Sequence, residues 1–452
     1  MMGAPVGRQE RLFYEFDLEE MVPADHLLRK IDAVLDLSWL RGELAAHYSH
    51  LGCPSVCPEL MVRMLLVGYC YSIRSERRLC QEVKMNLAYR WFCGLGLEDK
   101  VPHHSTFSVN RLGRFRDSDI LRTVFEEVVC RCMTAGLVGG EGFAVDASVI
   151  EANASRFQRV EGSEIDWTDT QRARRPIAEY LAALDGEQSP TNPERAPKAL
   201  SPSDPAAAWT TRGRHKVMFG YSLNYLIDME GSVIVDVEAT PTRISKEVDA
   251  AEAMIERVAE RFALKPKRVA GDVAYGTSGM LGWLVDQEID PHIPVWDQTK
   301  VAPEGKFTRA DFIYDRKRDR YICPAGKELK TSGKVVDGSA IKYMAKRSDC
   351  ARCLLKPQCT TGRERRLSRD VNQDARDYTQ ALMQSEAYEV SRGERKKIER
   401  LFGEAKTNLS LTRLRLRGLT GARDEFLLAA IVQNLKRLVA AVAIPPPKPA
   451  VA

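Results

Sequence analysis

A glycine-rich break, Gly139-Gly-Glu-Gly142, constrains this chain more than any other stretch. Upstream of it, apolar residues recur at three- and four-residue steps, as they do along a helix face. Downstream, short apolar runs alternate with helical segments. Leu27, Leu28, Ile31, Val34 and Leu35 mark one upstream helix. Pro58 opens another, since proline is tolerated in a first turn. Further helices are expected over residues 75–92, 105–115 (Ser105 as N-cap) and 119–135. Residues 1–137 therefore read as an all-helical domain. Arg74, Arg77, Arg78, Arg111, Arg114 and Arg116 are interleaved with these helices. That distribution suits DNA docking and equally an ordinary bundle. His103 and His104 have no third ligand close by in sequence, which argues against a metal there.

Beyond the break, Phe143-Ala-Val-Asp146 and Lys267-Arg-Val-Ala-Gly-Asp272 are short apolar runs that finish on an aspartate, and both read as buried strands. Residues 156–214 are polar and Pro/Ser/Arg-rich, an insertion expected to be loop apart from a helical piece around 178–184. Strands over 218–227 and 232–238, joined by Asp228-Met-Glu-Gly231, form an expected antiparallel hairpin. Helices over 246–262 and 278–286 and a strand at 292–295 follow. The pattern predicts an α/β fold, a mixed sheet flanked by helices, in residues 138–296. A basic, cysteine-containing insertion over 297–377 is expected to be irregular. Residues 378–443 bring a closing helix and a strongly apolar C-terminal helix, and the Pro-rich tail at 444–452 is expected to be disordered.

Composition narrows the partners. No run approaches the roughly 18 apolar residues that a membrane helix needs. The N-terminus lacks a basic-then-apolar signal pattern, so a cytoplasmic protein is expected. Net charge is +5 overall, yet residues 391–440 hold 12 Lys/Arg against 5 Asp/Glu, and residues 341–370 hold 9 against 3. Cationic surplus concentrated late in a nearly balanced chain points to a polyanion, nucleic acid foremost. It is also compatible with a solubilising surface.

The closing helix carries Ile398, Leu401, Phe402, Ala405 and Leu409 on one face, with Arg392, Arg395, Glu399 and Lys406 on a narrow stripe beside it. Taken alone, such a stripe is a surface with i,i+4 pairs, and a lone strand-end aspartate is a cap or turn residue. Taken together, Asp146, Asp272 and Glu399 are candidates to converge, because ligand sites in open α/β sheets gather at strand carboxyl ends. Three converging carboxylates repel unless a divalent cation is present. The hard oxygen donors suit Mg²⁺ or Mn²⁺, two of which can drive an in-line displacement at phosphorus. Glu404 competes with Glu399 for the third position but lies about 140° away around the helix.

With Phe143-Ala-Val-Asp146-Ala-Ser, Val269-Ala-Gly-Asp272-Val-Ala-Tyr-Gly276 and the spacing of Arg395, Glu399 and Lys406 (R-x₃-E-x₆-K), the chain resembles bacterial insertion-sequence DDE transposases. Pro102-His-His-Ser-Thr-Phe107 adds to the likeness, which extends over roughly residues 15–440. The family's fuller signature has Tyr three residues before the Arg, where this chain has Arg392. The resemblance implies a ribonuclease-H-like catalytic core behind a helical N-terminal domain. It implies Asp146, Asp272 and Glu399 as catalytic ligands of two Mg²⁺ (or Mn²⁺) ions, and Arg395 and Lys406 as DNA contacts. Arg392, Arg413, Arg415 and Arg417, in the basic C-terminal region, are further candidate DNA contacts. The expected function is cleavage at insertion-sequence ends and strand transfer by transesterification. Expected partners are double-stranded DNA, as terminal inverted repeats and target, and a second copy of the chain on paired ends. A metal-dependent nuclease without strand transfer and a catalytically inactive DNA-binding derivative are the alternatives.

The chain holds 11 cysteines, an odd number in a sequence without a secretory pattern, so a disulfide framework is not expected. Most are scattered through apolar helical sequence as small hydrophobes. Cys323, Cys350, Cys353 and Cys359 are instead clustered, spaced C-x₂₆-C-x₂-C-x₅-C in the basic insertion. Structural Zn²⁺, reduced free thiols and an iron–sulfur cluster are the three readings.

Overall fold

The computed structural model describes residues 16–49, 51, 55–161, 177, 180, 199–212, 216–295 and 305–442. Of the helical piece expected at 178–184 only residue 180 is described, and the tail at 444–452 lies outside the described residues. The chain divides into two compact units. One comprises residues 1–137, 151–153 and 403–452, and the other residues 138–150 and 154–402.

The first unit is helical. Its central element is the helix Gly418–Ala441, which buries Ala422, Phe426, Leu427, Leu428, Ile431, Val432, Leu435 and Leu438. Buried along most of its length, it packs against the helices Leu27–Val34, Pro58–Cys70 and Ile120–Thr134, which coat its apolar residues. The helix expected over 75–92 is two helices, Glu76–Met85 and Leu87–Phe92. Asn86 separates them by accepting a bond from Tyr89 N at 3.2 Å, as an N-cap does.

Two of the N-terminal arginines are structural rather than free for DNA. Arg74 is paired with buried Glu425 and donates to the carbonyls of Ser410 (2.7 Å) and Arg413 (2.8 Å). Arg111 is buried against Glu76 (2.6 Å) and Asp424 (3.8 Å). Buried charges require such partners.

The second unit holds two sheets. In the first, β1 (Gly142–Glu151), β2 (Ala208–Arg212), β3 (Lys216–Asp228), β4 (Ile234–Pro241), β5 (Arg268–Ala270) and β6 (Asp290–His292) take the order β2-β3-β1-β5-β6, with β4 also on β3. The β3–β4 hairpin is antiparallel, from Tyr221 opposite Pro241 to Ile227 opposite Ile234. β1, β5 and β6 run parallel. An antiparallel hairpin beside a central strand, followed by two parallel strands on the other side, is the ribonuclease-H-like arrangement. β2 lies inside the stretch expected to be loop, and pairs with β3 from Ala208 opposite Gly220 to Arg212 opposite Lys216.

The larger correction concerns residues 297–377. From 313 to 370 they form a second, antiparallel sheet, ordered β11-β10-β9-β8-β7. Its strands are β7 (Ile313–Asp315), β8 (Arg320–Ile322), β9 (Glu328–Val336), β10 (Ala340–Ala345) and β11 (Arg366–Asp370). Its core is only Phe312, Tyr321, Leu329, Tyr343, Ala345 and Leu367. A sheet with so few inward apolar residues on short, charged strands leaves a weak period-2 signal.

Candidate active site

Backbone pairing brings the two aspartates together. The parallel register sets Gly142 beside Arg268, Phe143 beside Val269 and Ala144 beside Ala270. Two residues further on come Asp146 and Asp272. Because side chains alternate along extended backbone, they share a side with Ala144 and Ala270. β1 does not end at Asp146, as expected from the apolar run, but continues to Glu151. It is the pairing with β5 that stops two residues before Asp146.

Asp272 holds extended backbone (φ −84°, ψ −178°) and caps the one-turn helix Val273–Tyr275, its Oδ1 accepting from Ala274 N at 2.8 Å. Capping uses one carboxylate oxygen. Asp146 Oδ1 accepts from Ala147 N at 2.8 Å, and its Oδ2 accepts from Arg395 Nη1 at 3.2 Å.

The Glu399 helix (Glu386–Thr407) is seated on the same sheet by several contacts. Phe402 stacks on Tyr225 of β3, ring centroids 5.0 Å apart at 12°. Ser391 Oγ accepts from Arg268 Nε of β5 at 3.1 Å and bonds His292 Nδ1 of β6 at 2.7 Å. Lys397 donates to the Met229 carbonyl in the β3–β4 turn. Ile398 and Leu401 are fully buried. With its apolar face fixed, the helix turns Arg395 toward Asp146, and Arg395 Nη2 donates to Glu399 Oε1 at 3.4 Å. Glu399 itself is 58% exposed, at the rim of the face.

The electrostatics record the convergence. The Asp146 carboxyl is pushed up to about 6, first by burial, with Asp272 and Glu399 adding repulsion. The Ala147 amide and Arg395 pull the other way. Tyr275, missed in the sequence, is buried beside this group, and its hydroxyl has no hydrogen-bond partner among the described residues. Burial, then the charge of Asp146, Glu247 and Asp272, holds that hydroxyl well above its usual value. Its position in the Asp272-Val-Ala-Tyr motif was the available signal, but nothing in the sequence reported its burial.

Among the described residues, no three His, Cys, Asp or Glu groups stand in a ready-made metal-ligating arrangement. Asp146 and Glu399 have the Arg395 guanidinium between them instead. The donor set nevertheless fits a hard divalent cation: oxygen-only, partly buried and compensated at present by one cationic side chain.

The other sequence candidates fall elsewhere. Arg392 is 68% exposed and pairs with Glu389 at 3.4 Å. Lys406 is half-buried in the last turn of the same helix. Glu404, the competitor for Glu399, is engaged within the helical unit by Gln433 Nε2 and Arg437 Nη2, both at 3.2 Å. Arg413 and Arg415 are exposed on a segment whose backbone is pinned, with Leu414 N donating to Glu151 O at 2.7 Å and Arg415 N to Glu425 Oε1 at 2.7 Å. Arg417 Nε donates to Asn153 O at 2.9 Å.

Comparison with known families follows the same outline. Residues 16–112 match a transposase domain (DUF772), and residues 322–439 match a transposase DDE domain. The chain carries two transposase domains. The DDE domain matched over residues 322–439 indicates a phosphoryl-transfer enzyme, and use of a divalent metal is implied with it. That match includes Glu399 and Lys406, whereas Asp146 and Asp272 lie upstream of it. No curated protein matches the chain. A solved piggyBac transposase synaptic complex with hairpin DNA is similar at 9% identity, covering 92% of this chain and 72% of that one, with a TM-score of 0.31. Among the described residues, no helix is long and apolar enough to cross a membrane.

Proposed function

We propose that this transposase cleaves DNA at the ends of its insertion sequence and joins the freed 3′-hydroxyl to target DNA, using Asp146, Asp272 and Glu399 to hold Mg²⁺ or Mn²⁺. The observation that carries the reading is the parallel register between β1 and β5, which ends two residues before Asp146 and before Asp272, together with the repulsion that Asp272 exerts on the Asp146 carboxyl. Arg395 links Asp146 to Glu399.

The bound ions would supply Lewis-acid stabilisation of the attacking and leaving oxygens. The chain's own residues do the rest. Asp146 and Asp272 fix the site to the sheet through their bonds to Ala147 N and Ala274 N. Glu399 brings a third carboxylate from the rim. Arg395, bonded to Asp146 and Glu399, offsets their charge and would meet a phosphate where a cation takes over that role. Exposed Arg392, Arg413 and Arg415, with Lys406 and Arg417, contribute backbone contacts, which orient DNA without reading its sequence. Joining two ends requires at least two copies of the chain.

A strand-transfer assay on end-containing DNA with Mg²⁺ tests this. Wild type should yield joined products, and Asp146→Asn, Asp272→Asn and Glu399→Gln should each lose more than the roughly 100-fold that removal of an outer partner costs, with DNA binding retained. Cleavage without joining would establish a nuclease instead. Full DNA binding with no catalytic loss in any of the three variants would leave a DNA-binding derivative.

A further inference from the structure

The four clustered cysteines are not used by the chemistry above, yet the fold gathers them. Cys323, just after β8, Cys350 and Cys359, in the two short helices before β11, and Cys353, between those helices, line a single cavity of about 30 Å³. Lys327, Lys356, Arg365 and Asp349 line it too. We infer that these four cysteines bind one zinc ion that staples the five-stranded sheet, a site independent of the catalytic carboxylates.

Three observations point there. The first is the turn after Cys323. Lys327 N donates to Cys323 Sγ at 3.3 Å, Gly326 N donates to Cys323 O at 2.8 Å, and Cys323 N donates to Lys327 O at 2.8 Å. Gly326 sits at φ +73°, a conformation that favours glycine. The result is a tight knuckle with a backbone amide aimed at sulfur, an arrangement that stabilises a thiolate. The second is charge. A zinc tetrathiolate is dianionic, and Lys327, Lys356 and Arg365 in the cavity wall outweigh Asp349 by two charges. Arg365 also donates to Cys359 O at 2.8 Å and to Phe307 O at 3.0 Å, holding the wall in place.

The third is how lightly the two short helices are otherwise held: Cys350 and Cys359 themselves pack, partly buried, against the sheet's cluster, and the other ties are polar, Phe307 N donating to Gln358 O at 2.7 Å and Arg347 pairing with Glu364 at 2.9 Å. The helices Arg347–Ala351 and Lys356–Cys359 are five and four residues long and bury no residue. They cap a sheet whose core is six side chains, and a small core of that kind needs a cross-link to be independently stable. The thiols share the cavity wall, but among the described residues no three of them stand at metal-ligating distances. Binding draws the sulfurs to about 2.3 Å from the ion, and each thiol releases its proton to solvent. The cavity has room for a single ion or one or two waters, and iron in place of zinc is an outcome the test distinguishes.

The test uses the full chain, purified without oxygen from zinc-replete cells. The expected result is one zinc per chain, with four of the 11 cysteines slow toward a thiol reagent until a chelator frees the metal. Cobalt exchanged into the chelated protein should give the charge-transfer and ligand-field bands of a tetrahedral thiolate site. Cys353→Ser should lose the zinc and the cobalt bands, while Cys130→Ser, at an exposed cysteine of the helical unit, should keep both. If Cys353→Ser fails to fold, the wild-type thiol count and proteolysis across residues 305–371 with and without chelator still decide. Absence of zinc, iron in its place, or all four thiols reactive with metal bound would each overturn the inference.

Discussion

The two sheets of the second unit are built on opposite terms. The six-stranded sheet is held by burial: in β3, every residue from Met218 to Asp228 is buried, and β1 begins with four buried residues in succession. The five-stranded sheet has one well-filled face at most; β9 runs intermediate, buried, exposed, intermediate and then mostly exposed. What it lacks in apolar area it replaces with aromatic and polar links. Tyr314, Tyr321 and Tyr343 cluster with centroids 4.9–6.1 Å apart, and the Tyr314 and Tyr343 hydroxyls both donate to Asp319 Oδ1. The difference teaches why the carboxylates belong to the first sheet. A site that keeps an acid at about 6 through burial needs a scaffold that does not open, and dense packing is what resists opening.

Substitutions can break or sharpen that contrast. The largest effect is expected for Phe402→Ala, which removes the ring stacked on Tyr225. Urea denaturation should register a loss of about 3–5 kcal/mol, and a loss below about 1 kcal/mol would mean that burial does not seat the Glu399 helix. Glu399→Gln should cost more than about 2.7 kcal/mol in transition-state stabilisation, a 100-fold rate loss, while leaving the denaturation midpoint nearly unchanged because the side chain is exposed. A midpoint shift comparable to that of Phe402→Ala would make Glu399 a structural residue. In the other sheet, Leu329→Ala is expected near the low end for such truncations, about 2 kcal/mol, since a small cluster can collapse around the gap. Hydrogen exchange should then rise across residues 313–370 and stay level in β1 and β3; equal loosening of both sheets would show that they share one cooperative core. The smallest change is expected for Tyr343→Phe, about 1 kcal/mol, because Tyr314 still satisfies Asp319 at 2.8 Å. A null result there would remove the polar links from the account of the second sheet.

The sequence was most legible where periodicity was strong. Val269-Ala-Gly-Asp272, the β3–β4 hairpin and the helix Ile244–Phe262 were each readable because apolar spacing and turn residues agreed. The candidate carboxylates were legible as residues but not as geometry: the two-residue overrun beyond Ala144 and Ala270 depends on inter-strand register, which no local pattern encodes. Arg395 was on the right stripe, yet its bond to Asp146 joins residues far apart in the chain. Tyr275 and the Ser391–His292 pair were invisible because burial, not composition, gives them their surroundings. The second sheet escaped notice because its strands alternate charged and uncharged residues with few large apolar ones, the texture of a loop. The apolar helix Gly418–Ala441 was clear as a helix, but its coat could not be read from its own residues.

The lateral pairing of β1 with β5 has one more consequence. Because the two aspartates become neighbours through main-chain bonds, the length of polypeptide threaded between them is immaterial to their spacing. A module inserted into that interval, or trimmed from it, therefore leaves the pair's spacing as the register sets it. Sliding either strand along the other by a single residue would do what no such splice can: turn one acid to the opposite side and leave its mate alone.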